Sequence, residues 1–77
     1  MKTDLAELFA GNVRRLLAVR GITQSEFAAK LRVSGGVVSR ILSGRYSPSG
    51  VTIARFAGAL TVAPHELLTP CTAIRAN

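Results

Sequence analysis

The chain has 77 residues with ten Lys+Arg against four Asp+Glu, a formal charge of +6 and a pI near 11.2, a length that suits one small, marginally stable domain. With 48% hydrophobic residues but only three Phe, one Tyr and no Trp, its core is drawn from Leu, Val, Ile and Ala, which suits closely packed short helices better than a sandwich; no β-alternation of any length is present. No apolar run approaches the ~18 residues of a spanning helix, and the basic balance, eight Arg plus Lys2 and Lys30, implies binding to polyanions without separating DNA from RNA or an anionic membrane.

Lys2 to Arg20 reads as one helix. Thr3 or Asp4 can cap it, and Asp4 and Glu7 favour its positive end. Leu5, Leu8, Phe9, Val13, Leu16 and Leu17, or a subset of them, form the buried stripe. Gly11 costs about 1 kcal/mol relative to Ala inside a helix, so a break there is expected to be available, leaving a short arm before a main helix from about Asn12. Arg14, Arg15 and Arg20 lie near the later turns, and Gly21 is a natural left-handed stop.

Two short helices follow, separated by a tight turn. Thr23 and Glu26 have the spacing of a capping box, and Phe27, Ala28 and Leu31 recur on one face. Arg32-Val33-Ser34 interrupts the pattern. Ser34 is a good N-cap for a second helix whose inward face is Val38, Ile41 and Leu42, and Gly44 supplies a stop. This is the outline of a helix-turn-helix over about residues 23–43, in which the second helix presents its outer face to the DNA major groove. Arg45-Tyr46-Ser47-Pro48 is a loop, since Pro48 rules out a continuous helix. Ser49 to Leu60 reads as a fourth helix with Ile53, Phe56, Ala57 and Leu60 inward. Thr61-Val62-Ala63 connects it to a short fifth helix opened by Pro64, where Leu67 and Leu68 are the apolar pair. A frayed tail is expected over about residues 69–77.

These residues resemble the Cro/CI-type (Xre-like) helix-turn-helix repressors of bacteria and phage. Gly21, Thr23-Gln24, Ala28, Val33-Ser34, Val38, Ile41 and Gly44 fall where that family's pattern places them. The stretch from Pro48 to Leu68 resembles its fourth and fifth helices, so the likeness covers roughly residues 12 to 68. It implies an all-α, compact bundle of about five short helices. It also implies base readout from the first two positions and the sixth of the recognition helix, here Gly35, Gly36 and Arg40. The glycines carry no side chain, so direct reading falls to Arg40, with Val37 able to touch a thymine methyl and Ser39 in reserve. Phosphate contacts are implied for Gln24 and Thr23 and, in the loop, for Arg45, Tyr46 and Ser47. Tyr46 is equally readable as a packing lid over the core. One of Leu67 and Leu68 is expected in the core and the other at a dimer contact.

Two departures from the family stand out. Arg32 occupies a position where resembling proteins usually carry Gly in a left-handed turn, which would cost about 1 kcal/mol. Leu17 and Leu42 replace an Arg–Glu pair that many of them carry. Exchanging both partners of a buried pair for apolar residues can be neutral or stabilising. The alternative is that Leu17 faces solvent and Leu42 alone is core.

The function expected from the resemblance is a sequence-specific double-stranded DNA-binding transcriptional regulator, a repressor on a palindromic operator, acting as a homodimer at least on DNA. An antitoxin-like or other partner-binding module on the same fold is the alternative. No catalysis is expected: His65 is the only histidine, Cys71 is the only cysteine, and Gly35-Gly36 fits no phosphate-loop pattern. His65 beside Glu66 has no second His or Cys near it to hold a metal. No cofactor, small-molecule ligand or membrane partner is expected. Met1 to Gly11 is short and carries Asp4 and Glu7, unlike a secretory signal, and Cys71 cannot form an internal disulfide. The expected location is the bacterial cytoplasm, at the nucleoid.

Overall fold

Gly11 does not break the first helix. In the structure, a computed structural model that describes residues 5–69, α1 runs without interruption over Leu5–Arg20. Phe9, Ala10, Asn12 and Val13 are all buried around Gly11. Packing on both sides outweighs the ~1 kcal/mol glycine penalty, because tertiary burial contributes more to a short helix than propensity does. The buried stripe is Ala6, Phe9, Ala10, Val13 and Leu17; Leu8 and Leu16 are half-buried and Leu5 is exposed. The caps expected at Thr3 and Asp4, the start at Lys2, Cys71 and all of the expected tail beyond Thr69 lie outside the described residues.

The next two helices are α2, Gln24–Leu31, and α3, Gly35–Leu42. The capping box of α2 forms in full: Thr23 Oγ1 accepts from the Glu26 N–H at 3.1 Å and Glu26 Oε1 from the Thr23 N–H at 2.9 Å. Ser34 caps α3 by accepting from the Val37 N–H at 3.3 Å. α4, Gly50–Leu60, begins one residue later than expected because Ser49 is its N-cap, bound by the Thr52 N–H at 3.2 Å. The expected fifth α-helix is instead a single 3-10 turn, Pro64–Leu67. Its bonds close over three residues, Glu66 N–H to Ala63 O at 2.9 Å and Leu68 N–H to His65 O at 3.0 Å; a four-residue segment has no room for successive α-type bonds.

Three phenylalanines from three helices meet in the core. The Phe9 and Phe56 rings are 5.3 Å apart and tilted, while Phe27 meets Phe56 edge-on at 5.1 Å, arrangements that aromatic quadrupoles favour. Val38, Ile41 and Leu42 of α3 join the same cluster, as do Leu17, Leu31, Leu60 and Leu67. Leu17 is therefore core, at 4% exposure, beside Leu42 at 3%.

The helix ends show how the turns hold. α1, α2 and α4 each close with the same pair of bonds: Ile22, Val33 and Val62 donate back to Leu17, Ala28 and Ala57 at 2.9, 3.0 and 3.0 Å. These are Schellman ends. The residue in the left-handed position is Gly21 in the first but Arg32 (φ 62°) and Thr61 (φ 58°) in the others. Arg32 was expected there; Thr61, read as plain connector, was not. In each case the following residue, Ile22, Val33 or Val62, packs against the core, and that contact holds a backbone conformation which a Cβ disfavours by about 1–2 kcal/mol.

Long side chains then tie the helices end to end. Arg14 donates to the Leu42 carbonyl, Arg20 to that of Leu60 and Arg55 to that of Leu31. Each acceptor is the last residue of its helix, where an unsatisfied carbonyl and the negative end of the helix dipole favour a cation. Asn12, 1% exposed, donates through Nδ2 to the carbonyls of Leu67 at 2.8 Å and Thr69 at 2.9 Å, latching the 3-10 turn onto α1.

Candidate nucleic-acid interface

α3 divides cleanly. Val38, Ile41 and Leu42 are buried against α1 and α2, while Gly35, Gly36, Val37, Ser39 and Arg40 are exposed. The division follows from helical spacing: 38, 41 and 42 share one face, so 36, 37 and 40 share the opposite one. All five residues expected to read bases are exposed. Gly35 and Gly36 take ordinary helical φ, and a Cβ at Gly35 would meet nothing within 4 Å. Neither glycine is required by the fold.

The loop after α3 is anchored at both ends. Ser43 Oγ donates to the Arg40 carbonyl at 2.6 Å and accepts from the Arg45 N–H at 3.3 Å. Gly44, at φ +84°, is buried, and a Cβ there would come within 3.6 Å of the Glu7 side chain; Pro48 is buried as well. Between these anchors Arg45, Tyr46 and Ser47 are exposed. Tyr46 is 44% exposed, so it does not close over the core. With Ser34, Gly36, Val37, Arg40, Ile41 and Thr52 it lines a cleft between α3, the loop and the start of α4. Thr52 was not anticipated from sequence; only the fold brings the first turn of α4 next to α3.

Thr23 and Gln24 sit exposed at the start of α2. The Thr23 hydroxyl oxygen already accepts the cap bond, leaving its proton to donate. Gln24 borders a shallow cleft with Arg14, Leu17, Ile22 and Leu42, away from the Arg40–Tyr46 cleft. Leu67 is 0% exposed and so is the core member of its pair, with no surface to offer a second copy. Leu68 is half-buried.

Charge is distributed unevenly. Arg14, Arg20 and Arg55 are engaged with helix carbonyls. Lys30, Arg32, Arg40 and Arg45 are exposed, with no side-chain hydrogen-bond partner among the described residues. Of the described carboxylates, Glu26 and Glu66 accept backbone N–H bonds at helix starts, at 2.9 and 3.1 Å, Glu7 sits beside Gly44, and none of the three forms an ion pair with Arg40 or Arg45. The α3 face and its loop thus keep uncompensated positive charge, with hydrogen-bond donors that can meet phosphate or base edges. No group of three or more His, Cys, Asp or Glu able to hold a metal ion occurs among the described residues.

The family model described as Helix-turn-helix matches residues 13–67. An uncharacterised HTH-type transcriptional regulator, y4dJ of Sinorhizobium fredii, is 36% identical over 67 residues, covering 87% of each chain. Among solved structures, a hypothetical transcription factor from Neisseria, NHTF, superposes with a TM-score of 0.86 at 29% identity over 94% of this chain and 83% of that one. The clp gene regulator ClgR of C. glutamicum gives 0.82 at 28% identity over 97% of both. The restriction-modification controller protein C.AhdI of Aeromonas hydrophila gives 0.73 at 27% identity over 80% of this chain and 94% of that one.

Proposed function

The chain belongs to the helix-turn-helix family, whose model spans residues 13–67, and from that premise we propose a sequence-specific repressor that binds a palindromic operator in double-stranded DNA as a homodimer. The family is one of DNA-binding transcriptional regulators and not an enzyme class. The relatives point the same way: ClgR is described as a gene regulator and C.AhdI as a controller protein.

The observation that carries the reading is the outer face of α3, where Val37 and Arg40 stand exposed beside the cationic loop at Arg45. In this reading α3 enters the major groove and α2 crosses the backbone. Arg40 takes a guanine through its O6 and N7, Val37 a thymine methyl, and Ser39 is in reserve. Gly35 and Gly36 let the helix start come close to the bases. Thr23, Gln24, Arg45, Tyr46 and Ser47 hold phosphates and set the register. A single copy spans few base pairs, so two copies on half-sites about one helical turn apart supply the specificity, with Leu68 at the contact between copies. Repression then follows from occupying promoter DNA. No helix among the described residues is long and apolar enough to cross a membrane, and the proposed site of action is the bacterial cytoplasm.

Selection of bound sequences from random duplex DNA at a fixed salt concentration tests the proposal. A palindromic winner with half-sites one turn apart is expected. A non-palindromic winner would contradict the dimer, and enrichment of nothing would contradict sequence-specific binding and favour a protein-binding module.

A further inference from the structure

A second cleft lies between the end of α2 and the outer side of α4. It is shallow, holds about 350 Å³, and is lined by Leu31, Ala54 and Gly58 with Lys30, Arg32 and Arg55 around them. None of these residues lines the cleft beside Arg40 and Tyr46. No carboxylate lines it either. Glu26, one turn before Lys30, is held on the Thr23 N–H, and α4 carries no acidic residue.

The fold alone does not require this surface. Arg32 occupies a left-handed position at φ 62°, where glycine is the less strained residue. Its side chain has no hydrogen-bond partner among the described residues. Strained non-glycine residues collect at functional sites. On α4, Gly50, Ala54 and Gly58 recur at four-residue spacing and are all exposed, so this side of the helix presents little beyond backbone and one methyl group. A Cβ at Gly50 or Gly58 would meet nothing within 4 Å. Val51, 70% exposed, extends the same side past Arg55. The surface is low enough for another helix to approach closely, and cations border it.

We propose that the groove between α2 and α4 docks an acidic amphipathic helix of another protein. Its apolar residues lie against Val51, Ala54 and Gly58, and its carboxylates meet Lys30, Arg32 and Arg55. A second copy of this chain is a poor occupant, because two-fold pairing sets the cationic patch against itself. A DNA strand satisfies the cations but leaves Val51 and Ala54 against phosphate; an acidic helix covers both. The groove is separate from the residues proposed to face DNA, so partner and operator can be held together. The inference stands beside the regulator reading and does not depend on it.

The probe is a synthetic helical peptide of about four turns, with leucine and alanine on one face and glutamates flanking it. It is titrated into the full chain and followed by backbone amide NMR shifts, which are expected at residues 30–32 and 51–58 and not at 36–40. Gly58→Leu fills the groove where a Cβ meets nothing and where glycine is the poorer helix former. It is expected to lower the peptide's affinity roughly tenfold or more by steric exclusion, with operator affinity unchanged. Arg32→Gly is expected to lower it roughly two- to fivefold, the worth of one exposed ion pair, while the urea midpoint does not fall. A peptide of equal charge with glutamine in place of leucine is expected to bind roughly tenfold more weakly for want of apolar burial. No shifts with the acidic peptide, or binding that Gly58→Leu leaves unchanged, would overturn the groove. Equal binding by the glutamine peptide would overturn it in favour of a bare cationic patch. A random duplex that displaces the peptide and shifts the same residues would overturn it in favour of a DNA contact. Self-association abolished by Gly58→Leu would overturn it in favour of a second copy.

Discussion

Arg14, Arg20 and Arg55 are counted with Arg40 and Arg45 in the net charge of +6, yet the structure uses them differently. The first three reach across to the last carbonyls of α3, α4 and α2. The latter two project from α3 and its loop with no side-chain hydrogen-bond partner among the described residues. The first group meets the last carbonyls at the negative ends of three helices; the second is exposed to solvent. Net charge alone is thus a poor measure of a binding face, because a cation bound to a helix end has part of its field offset by the dipole it caps.

The sharpest way to break this division is to bury a further charge between the groups. Leu17 and Leu42 line one cleft with Arg14 and are both buried. Leu17→Arg and Leu42→Glu are each expected to destabilise the fold by about 3–5 kcal/mol if the new charge stays buried, and by less if the arginine reaches water. The double mutant is expected to recover much of the loss by rebuilding the ion pair of resembling repressors. A double-mutant cycle from urea unfolding measures this, and simple additivity would show that the two side chains do not interact.

On the binding side, Arg40→Ala is expected to cost about 1–3 kcal/mol on the operator and much less on random DNA. Competition binding on both duplexes checks it; equal losses would move Arg40 to the phosphate backbone.

A smaller effect concerns the helix ends. Arg32→Gly and Thr61→Gly are each expected to stabilise the protein by about 1 kcal/mol by relieving a left-handed Cβ, read as a rise in the urea midpoint at constant m. A fall at position 32 would mean that its side chain holds the turn through contacts that outweigh the backbone strain.

What was legible in the sequence was local. The Thr23–Glu26 box, the Ser34 cap and the inward faces of α2, α3 and α4 depend on spacings of a few residues, and the family resemblance supplied their joint register. The break that Gly11 made available did not occur, because propensity is weaker than the burial on either side of it. Thr61 was missed because a left-handed threonine has no sequence mark; only the packing of Val62 forces it. The arginine ties span 24 to 40 residues of sequence and the Asn12 latch 55 or more, so no periodicity could announce them. Of the proposed interface, the exposed face of α3 was legible from its amphipathic pattern. The cleft beside it was not, because Tyr46 and Thr52 reach it only through the fold.

Matched alanine substitutions at Arg45 and Arg55 test the division most directly, with operator affinity measured across a salt series and stability by urea unfolding. Arg45→Ala is expected to flatten the log–log salt dependence by about one unit, the loss of one phosphate contact, with stability unchanged. Arg55→Ala is expected to leave the slope alone and to cost about 1 kcal/mol of stability, the worth of a partly exposed charge-assisted bond to a helix end. The opposite pattern, a lower slope for Arg55→Ala and a lost stability for Arg45→Ala, would contradict the separation of structural from DNA-facing arginines.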